Sequence, residues 1–358
     1  MLIVSIFLIL AILSFRSESK IVDEIIVIIV LCFVSIIFTY RASDYPIYHD
    51  YFLAVEPLYR VIFGEHKVFS HDIRNYELGY RIINSFLRIF TNHIEFLYIF
   101  CNAYILYAVY KLFVAKSFNM FKLLMPYFIF MLITVQVGII RQMIAISIFF
   151  FSIQFIQKRE FFKFLACTFL AFCFHRTAIV LPVFYFITYK EYSNKLLLGL
   201  LLVGILVFLE IIPFHPVRIV EWLNGYIKIE AVHAKLDFYI WQTRTLPVHA
   251  KFTRGIFENT GMFLLLLFIK FDLNKKQLYD RFINICLNLA LIYILIYIYF
   301  FDISSFSYRL NYYLIIFKFF VLVRYIESLE ITSNKIIANT LLIIYCAMMM
   351  VIRIGQGF

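Results

Sequence analysis

Long apolar runs separated by short polar loops follow one another along the whole chain. A helix needs about 20 apolar residues to cross the hydrocarbon core of a bilayer, and most of these runs approach that length. The pattern predicts an all-α, polytopic integral membrane protein with about 11–12 transmembrane helices, forming a single multispanning membrane domain over residues 1–358. The predicted segments lie near residues 2–15, 25–40, 94–114, 123–139, 141–157, 161–188, 196–213, 257–270, 282–301, 310–325 and 336–352.

The charges in the short loops predict which side of the membrane each loop occupies. The loops 114–122, 157–163 and 270–281 are rich in lysine and arginine, which favours the cytoplasmic side. The remaining polar segments then fall on the extracytoplasmic side: 41–93, the turn at 139–141, 214–256 and the turn 302–308. The two longest of these, 41–93 and 214–256, are predicted to carry structure, including helices over Leu78–Phe90 and Val217–Tyr226.

The apolar segment 161–188 has two possible arrangements. A single long tilted helix would place the basic loop 270–281 outside, against the charge rule. Two short arms that meet near His175 and Arg176 place both 214–256 and 270–281 on their expected sides. We favour the broken arrangement, since irregular backbone at membrane depth is tolerated where it lines a cavity.

Composition narrows the class of protein. The chain is 64% hydrophobic and only 15% charged, with a mean hydropathy of +0.90, which excludes a soluble domain. Its net charge of +11 is spread through short loops, so anionic membrane lipids are the expected partners and nucleic acid is not. The six cysteines lie in apolar segments and lack the spacing of metal ligands.

Several motifs of soluble enzymes are missing from the chain. We find no glycine-rich phosphate loop, no GxSxG elbow, no HExxH and no paired CxxC. Nucleotide hydrolysis, serine hydrolysis and zinc chemistry therefore have no support, and the sequence predicts no metal and no cofactor.

Three arginines stand at the predicted outer ends of apolar segments: Arg141, Arg176 and Arg309. A permanent cation at membrane depth is costly unless it faces a cavity, a partner or a substrate. For one arginine alone, a simple position at the headgroup level explains the charge, but three at the same membrane side favour a functional explanation. Guanidinium groups can hold a diphosphate through paired N–H donors.

Small and polar residues recur at helical spacing beside two of these arginines. Such residues allow close helix packing, so both faces are predicted to point inward, with Arg141 directed into the bundle and Arg176 rotated away. The first face consists of Gly138, Gln142, Ala145 and Ser152, and the second of Thr168, Ala171, His175, Ala178 and Pro182. A histidine on such a face is more often a core residue than a catalyst, although Arg176 beside His175 favours an anion site.

Carboxylates alternate with tyrosines in the outer segment 41–93. Aromatic rings pack on sugar C–H groups, and carboxylates accept hydrogen bonds from sugar hydroxyls or act as a general base. An ordinary solvated loop explains any single one of these residues equally well. The residues that we predict to contribute are Asp44, Glu77 and His175 as candidate bases, and Tyr45, Asp50, Tyr80 and Gln142 as substrate contacts.

The order of these clusters resembles the EpsG-like branch of the Wzy-type polysaccharide polymerases. The resemblance covers roughly residues 40 to 325. The motifs that carry it are the Asp/Tyr-rich outer segment, Tyr76-Glu77-Leu78-Gly79-Tyr80, Arg141-Gln142-Met143-Ile144-Ala145, Phe174-His175-Arg176-Thr177-Ala178 and Tyr308-Arg309-Leu310-Asn311-Tyr312-Tyr313.

The resemblance implies a bacterial inner-membrane enzyme of the glycosyltransferase-C-like type with its active site facing the periplasm. Such an O-antigen or exopolysaccharide polymerase joins undecaprenyl-diphosphate-linked oligosaccharide repeat units and releases undecaprenyl diphosphate. The implied partners are a repeat-unit flippase and a chain-length regulator. A better-known branch of these polymerases uses two arginine-containing periplasmic loops, whereas the arginines here stand at helix ends, so that loop mechanism is not carried over.

The mechanism expected from both lines of reasoning gives each cluster a role. Arg141, Arg176 and Arg309 bind the donor diphosphate and stabilise the charge that develops as it leaves. One of the three candidate bases deprotonates the acceptor hydroxyl. Other readings remain open: an O-antigen ligase, a transferase of single sugars from polyprenyl-phosphate donors, a lipid-linked oligosaccharide flippase or transporter, and a structural membrane subunit.

Overall fold

The computed structural model describes residues 2–16, 21–39, 44–63, 76–114, 119–136, 139–213, 216–226, 237, 240–241, 254–300 and 303–355, and these residues are helices, turns and connections without a strand. The chain divides into two compact units, one formed by Met1–Tyr185 with Ile326–Phe358 and the other by Phe186–Tyr325. Residues 40–43 and Gly138, singled out in the sequence, lie outside the described residues.

The helices of the first unit are α1 (Leu2–Ser14), α2 (Ile21–Thr39), α3 (Tyr45–Ala54), α4 (Leu58–Phe63), α5 (Leu78–Arg88), α6 (Glu95–Val114), α7 (Met120–Tyr127), α8 (Ile140–Gln157), α9 (Phe161–Phe172), α10 (Leu181–Thr188) and α17 (Thr332–Gly355). The second unit holds α11 (Asn194–Phe208), α12 (Pro216–Tyr226), α13 (Arg254–Lys275), α14 (Arg281–Tyr299), α15 (Ser304–Asn311) and α16 (Phe317–Ser328). Helices α10 and α16 each extend across a boundary between the units.

The helical, membrane-spanning architecture predicted from the apolar runs is confirmed. In the described part of the chain, four helical stretches are long and apolar enough to cross a membrane: Ile21–Thr39, Ile140–Gln157, Arg281–Tyr299 and Thr332–Ile352. Five shorter apolar stretches accompany them: Leu2–Ser14, Met120–Ile133, Phe161–Phe172, Arg176–Thr188 and Asn194–Phe208. The full number of crossings and the single membrane domain stay predictions.

Helix α8 forms the core of the first unit. It packs between α6 and α9, and 72% of its residues are buried. Gln142, Ala145 and Ser152 are all buried, as the small-residue face predicts. Close packing of this face holds the first turn of α8, and therefore Arg141, in a fixed position within the unit.

The segment 161–188 is broken, as the sequence predicts. Helix α9 ends at Phe172, His175 is extended with φ −155° and ψ 124°, and a 3₁₀ turn over Arg176–Val180 leads into α10. Pro182 stands in the first turn of α10, where its missing N–H costs no helical hydrogen bond. Whether each arm crosses the membrane stays a prediction.

Hydrogen bonds at the start of α7 connect three parts of the first unit. The side chain of Asn119, just before α7, donates to the backbone carbonyl of Arg16 at 2.6 Å. Its backbone N–H donates to Glu327 at 3.0 Å, and the Lys122 ammonium lies 3.8 Å from the same carboxylate. The described part of the basic loop before α7 is therefore fixed beside the loop that follows α1 and the last turn of α16.

A similar set of hydrogen bonds closes one end of the second unit. The side chain of Asn288 donates to the carbonyls of Thr188 and Lys190 at 2.8 and 2.7 Å, and Lys270 donates to the carbonyl of Tyr192. The loop after α10 thus lies beside the end of α13 and the start of α14. This arrangement fits the two-arm topology, in which that loop and the basic loop 270–281 share a side.

The apolar segment predicted over 310–325 is not one continuous helix in the structure. Helix α15 ends at Asn311, and consecutive turns over 312–316 separate it from α16. Tyr313, Leu314 and Ile316 in these turns are fully buried. The apolar run therefore reflects burial of an irregular segment, which hydrophobicity alone does not distinguish from a helix.

Candidate functional site

Arg141, in the first turn of α8, is the centre of a polar site in the first unit. Its Nη1 donates to Oε2 of Glu77 at 2.5 Å, and its Nε donates to the hydroxyl of Tyr48 at 3.5 Å. The side chains of Arg141 and Glu77 are 23% and 9% exposed. Water screens the attraction between the charges of an exposed ion pair. In this nearly buried pair the attraction is screened less, and it depends on the hydrogen bond between the two side chains.

Aromatic rings surround the guanidinium. The Arg141 Cζ lies 4.4 Å from the centre of the Tyr76 ring and 5.8 Å from the centres of the Tyr48 and Tyr80 rings. Tyr51 extends the group, with its ring centre 4.4 Å from that of Tyr76 in an edge-on contact. We call these four residues the tyrosine cluster. The faces of the three rings nearest the guanidinium attract the cation and exclude water from one side of it.

Burial changes the acidity of this cluster. Burial raises the pKa of Tyr51 and of Tyr76 to about 12. The charge of Arg81 lowers the pKa of Tyr51, and that of Arg141 lowers the pKa of Tyr76, but burial has the larger effect on both. The pKa of Tyr48 is also raised, again mainly by burial. The cluster therefore presents neutral phenols at ordinary pH, and the charges of the site belong to the arginines and carboxylates.

A close backbone contact places Glu77 beside Arg141. Gly79 donates its N–H to the carbonyl of Cys173 at 2.7 Å, which joins the start of α5 to the break after α9. A Cβ on Gly79 would lie 2.8 Å from that carbonyl oxygen and 3.0 Å from the Phe174 ring. Glycine is thus required for this approach, and Glu77, two residues earlier, is held between the break and α8.

The break also brings Arg176 to the same carboxylate. The backbone N–H of Arg176 donates to Oε1 of Glu77 at 3.4 Å, while its side chain is exposed. The exposure agrees with the prediction that this side chain is rotated away from the inward face. The imidazole of His175 is half-buried and lies 2.6 Å from the hydroxyl of Thr177. Glu77 therefore connects two of the segments that carry predicted anion-binding arginines.

Two further predicted residues lie at the edge of the site. Asp44, at the start of α3, is close enough to Tyr48 and Tyr76 for its charge to raise the pKa of both. The ring of Tyr45 stacks on that of Tyr98, with centres 5.9 Å apart. Asp44 therefore acts on the tyrosine cluster itself, whereas Tyr45 packs against α6.

The remaining predicted residues have different surroundings. The side chain of Asp50 is 74% exposed and pairs with His49 at 3.4 Å. Gln142 is buried beside Arg141 in α8. Arg309 belongs to the second unit, in α15, and its side chain is exposed. Its participation with Arg141 and Arg176 stays a prediction, as do the roles of all the residues predicted for the site.

The sequence did not single out several residues that build the site. Tyr48, Tyr51 and Tyr76 were noted only as part of tyrosine-rich stretches, and no role was given to Gly79 or Thr177. Tyr48 and Tyr51 are three residues apart on a helix, and this spacing could have predicted that their rings lie on the same face.

Together these groups can bind an anion and accept a proton. The Arg141 guanidinium and the N–H of Arg176 are donors, Glu77 and Asp44 are acceptors, and the aromatic faces suit sugar C–H groups. Among the described residues, no group of three His, Cys, Asp or Glu is placed to hold a metal ion.

Comparison with known proteins identifies a family for nearly the whole chain. The model of the EpsG family matches residues 24–357. The match includes every residue of the site described above. No curated protein and no solved structure matches the chain.

Proposed function

This chain belongs to the EpsG family, and on that premise we propose that it is a bacterial O-antigen or exopolysaccharide polymerase. It joins undecaprenyl-diphosphate-linked oligosaccharide repeat units at the periplasmic face of the inner membrane. Family membership supports a polysaccharide polymerase in general terms. The lipid-linked donor, the face of the membrane and the mechanism are our proposals.

The contact between Arg141 and Glu77 carries this proposal. It places a cation and a carboxylate side by side at the start of a buried apolar helix, with the tyrosine cluster covering the cation. A glycosyl transfer from a diphosphate needs a cation for the leaving group, a base for the acceptor hydroxyl and surfaces for the sugars. The site contains a group suited to each requirement.

Its position in the unit supports a periplasmic orientation. Helix α8 has 18 residues and is therefore about 27 Å long at 1.5 Å per residue. Arg141 stands at its first turn, and the basic loop 157–163 follows its last. The positive-inside rule assigns that loop to the cytoplasm, which leaves the site at the opposite face. A donor linked to a flipped polyprenyl carrier reaches that face, whereas a nucleotide sugar does not.

In the proposed reaction, the donor diphosphate binds at Arg141 and Arg176. The acceptor hydroxyl loses its proton to Glu77, with Asp44 and His175 as alternative bases. Its oxygen forms a bond to the anomeric carbon while the bond from that carbon to the phosphate oxygen breaks. Undecaprenyl diphosphate leaves as an anion stabilised by the arginines, a role that cations play for leaving phosphates. The base later returns its proton to water.

The proposed partners are those that the family resemblance implies. A flippase must deliver the lipid-linked repeat units to the outer face, and a chain-length regulator sets when polymerisation stops. Membrane lipids surround the protein, and no cofactor is required, because a diphosphate held by arginines is a good leaving group.

The surface-polysaccharide ladder of the source bacterium tests the proposal. Deleting the gene should collapse long chains to one repeat unit on the lipid core, and the wild-type gene should restore them. Arg141→Ala and Arg176→Ala, at matched protein level, should fail to do so. Arg141→Lys should also be impaired, since losing a charge-assisted hydrogen bond costs about 1.5–3 kcal/mol and the ammonium lacks the planar fork. Arg88→Lys, at the end of α5, is the matched control.

Other outcomes assign other functions. If deletion removes every attached repeat unit, a ligase, a flippase or a single-sugar transferase explains the protein better. If the alanine variants restore full-length chains in folded protein, the diphosphate does not bind at these arginines.

A further inference from the structure

The carboxylate of Glu77 occupies the position in which the proposed function puts a phosphate. One of its oxygens lies 2.5 Å from Nη1 of Arg141, and the other accepts from the N–H of Arg176 at 3.4 Å. These donors come from separate elements, the first turn of α8 and the break after α9. A phosphate group presents its oxygens to donors in the same bridging way.

An incoming diphosphate must compete for these donors. The Nε of Arg141 donates to Tyr48, and the rings of Tyr48, Tyr76 and Tyr80 lie over the guanidinium. Because Nε donates to Tyr48, a phosphate would bind at the terminal nitrogens of the guanidinium, and Nη1, which donates to Glu77, is one of these. While Glu77 remains there, the charge of Arg141 is already neutralised.

The side chain of Glu77 can leave without moving the backbone. The Gly79 to Cys173 hydrogen bond fixes the main chain beside the donors. Glu77 is also the N-cap residue of α5, with φ −63° and ψ 148°, and its side chain makes no capping hydrogen bond. The N-terminus of a helix favours negative charge, so the start of α5 offers the displaced carboxylate a second position.

We propose that Glu77 is an internal occupant of the diphosphate site, closing it when no substrate is bound and being displaced by the donor diphosphate. The proposal rests on the proposed function, because it takes the ligand from there. It also connects two steps of the reaction: binding of the donor releases the carboxylate beside the reacting groups, where it can accept the acceptor's proton. Glu77 then acts as a base only when the donor is in place.

The test measures binding of inorganic pyrophosphate to the purified full-length protein in detergent, by calorimetry. Glu77→Gln keeps the shape of the side chain but cannot neutralise Arg141, so pyrophosphate should bind about tenfold more tightly than to wild type. Glu95→Gln removes one carboxylate at the start of α6 and should leave the affinity unchanged. Arg141→Gln should abolish pyrophosphate binding. If Arg141→Gln does not fold, Arg141→Lys replaces it and should weaken the binding.

Each result decides the proposal. The proposal is supported if pyrophosphate binds more tightly to Glu77→Gln but not to Glu95→Gln, and if the Glu77→Gln variant also loses the polymer ladder. Unchanged or weaker binding to Glu77→Gln, an equal gain in Glu95→Gln, or no pyrophosphate binding by any variant overturns it. The proposed function is judged separately by the gene deletion, so a protein that polymerises but shows no gain in Glu77→Gln disproves only the competition by Glu77.

Discussion

At the scale of single residues, Arg141 is stabilised in two ways that fit a cation at a membrane boundary. Glu77 supplies the opposite charge, and the ring of Tyr76, with its centre 4.4 Å away, supplies an aromatic face. Neither requires that water reach the guanidinium. The site therefore keeps a strong cation in partly buried surroundings, where an electrostatic interaction with a phosphate is larger than in water.

Substitutions at Tyr76 separate its ring from its hydroxyl. Because the pKa of Tyr76 is raised to about 12, its hydroxyl is uncharged at ordinary pH, and Tyr76→Phe removes no charge. We expect this variant to polymerise nearly as well as wild type. Tyr76→Leu loses the cation–π contact, worth about 0.5–2 kcal/mol, and should shorten the polymer ladder.

The polysaccharide ladder at matched protein levels measures both variants. Equal loss in Tyr76→Phe and Tyr76→Leu would assign the contribution to the hydroxyl, contrary to this explanation. Tyr59→Leu, at an exposed ring on α4, controls for the loss of a surface tyrosine.

The sequence predicted the members of this pair but not the pair itself. Arg141 was singled out as a cation at the end of an apolar segment, and Glu77 as a carboxylate among tyrosines in the outer segment. Their contact joins residues 64 positions apart, and one sequence carries no signal for a specific side-chain contact over that distance. The tyrosine cluster was missed as a unit for the same reason.

At the scale of elements, the break between α9 and α10 organises the site. It turns the chain so that the carbonyl of Cys173 meets Gly79 and the N–H of Arg176 meets Glu77. The break was predictable, because the charge of the flanking loops required two short arms. The contact of the break with Gly79 was not predictable, since the need for a glycine at this position appears only when the opposing backbone is known.

Gly79→Ala should strain this contact. The new methyl group would lie 2.8 Å from the Cys173 carbonyl oxygen, and overpacking of this kind costs about 1–3 kcal/mol. We expect a lower unfolding temperature and a shorter polymer ladder, because Glu77 moves with the backbone. Thermal unfolding of the purified protein measures the first effect.

Gly199→Ala is the matched control for that substitution. Nothing lies within 4 Å of a Cβ at Gly199, which stands inside α11. Alanine there gains up to about 1 kcal/mol of helix propensity, so this variant should unfold at the same temperature as wild type or higher. A Gly79→Ala protein as stable as Gly199→Ala would show that the Cys173 contact is loose.

Other elements show where apolar patterns give less information. Residues Phe128–Gln136 continue α7 as a π-helix, and turns interrupt the apolar segment predicted over 310–325. Both segments are apolar enough for a regular helix. Their backbone hydrogen bonding is decided by packing, which periodicity does not report.

At the scale of the whole molecule, the orientation in the membrane can be tested within the first unit. Tyr45 stacks on Tyr98 in the first turns of α6, which places the start of α6 at the same end as the site. Asn92, exposed just before α6, should therefore be periplasmic. Lys158, exposed just after α8, should be cytoplasmic, since it begins a basic loop.

Single cysteines at these positions distinguish the two faces. Three native cysteines are partly exposed and must first be replaced by alanine: Cys32, Cys167 and Cys173. A membrane-impermeant maleimide applied to intact spheroplasts should label Asn92→Cys, and Lys158→Cys only after the membrane is opened. The reverse pattern would put the site in the cytoplasm, where donors are nucleotide sugars, and the proposed use of a lipid-linked donor would then fail even if the family's polymerase activity remained.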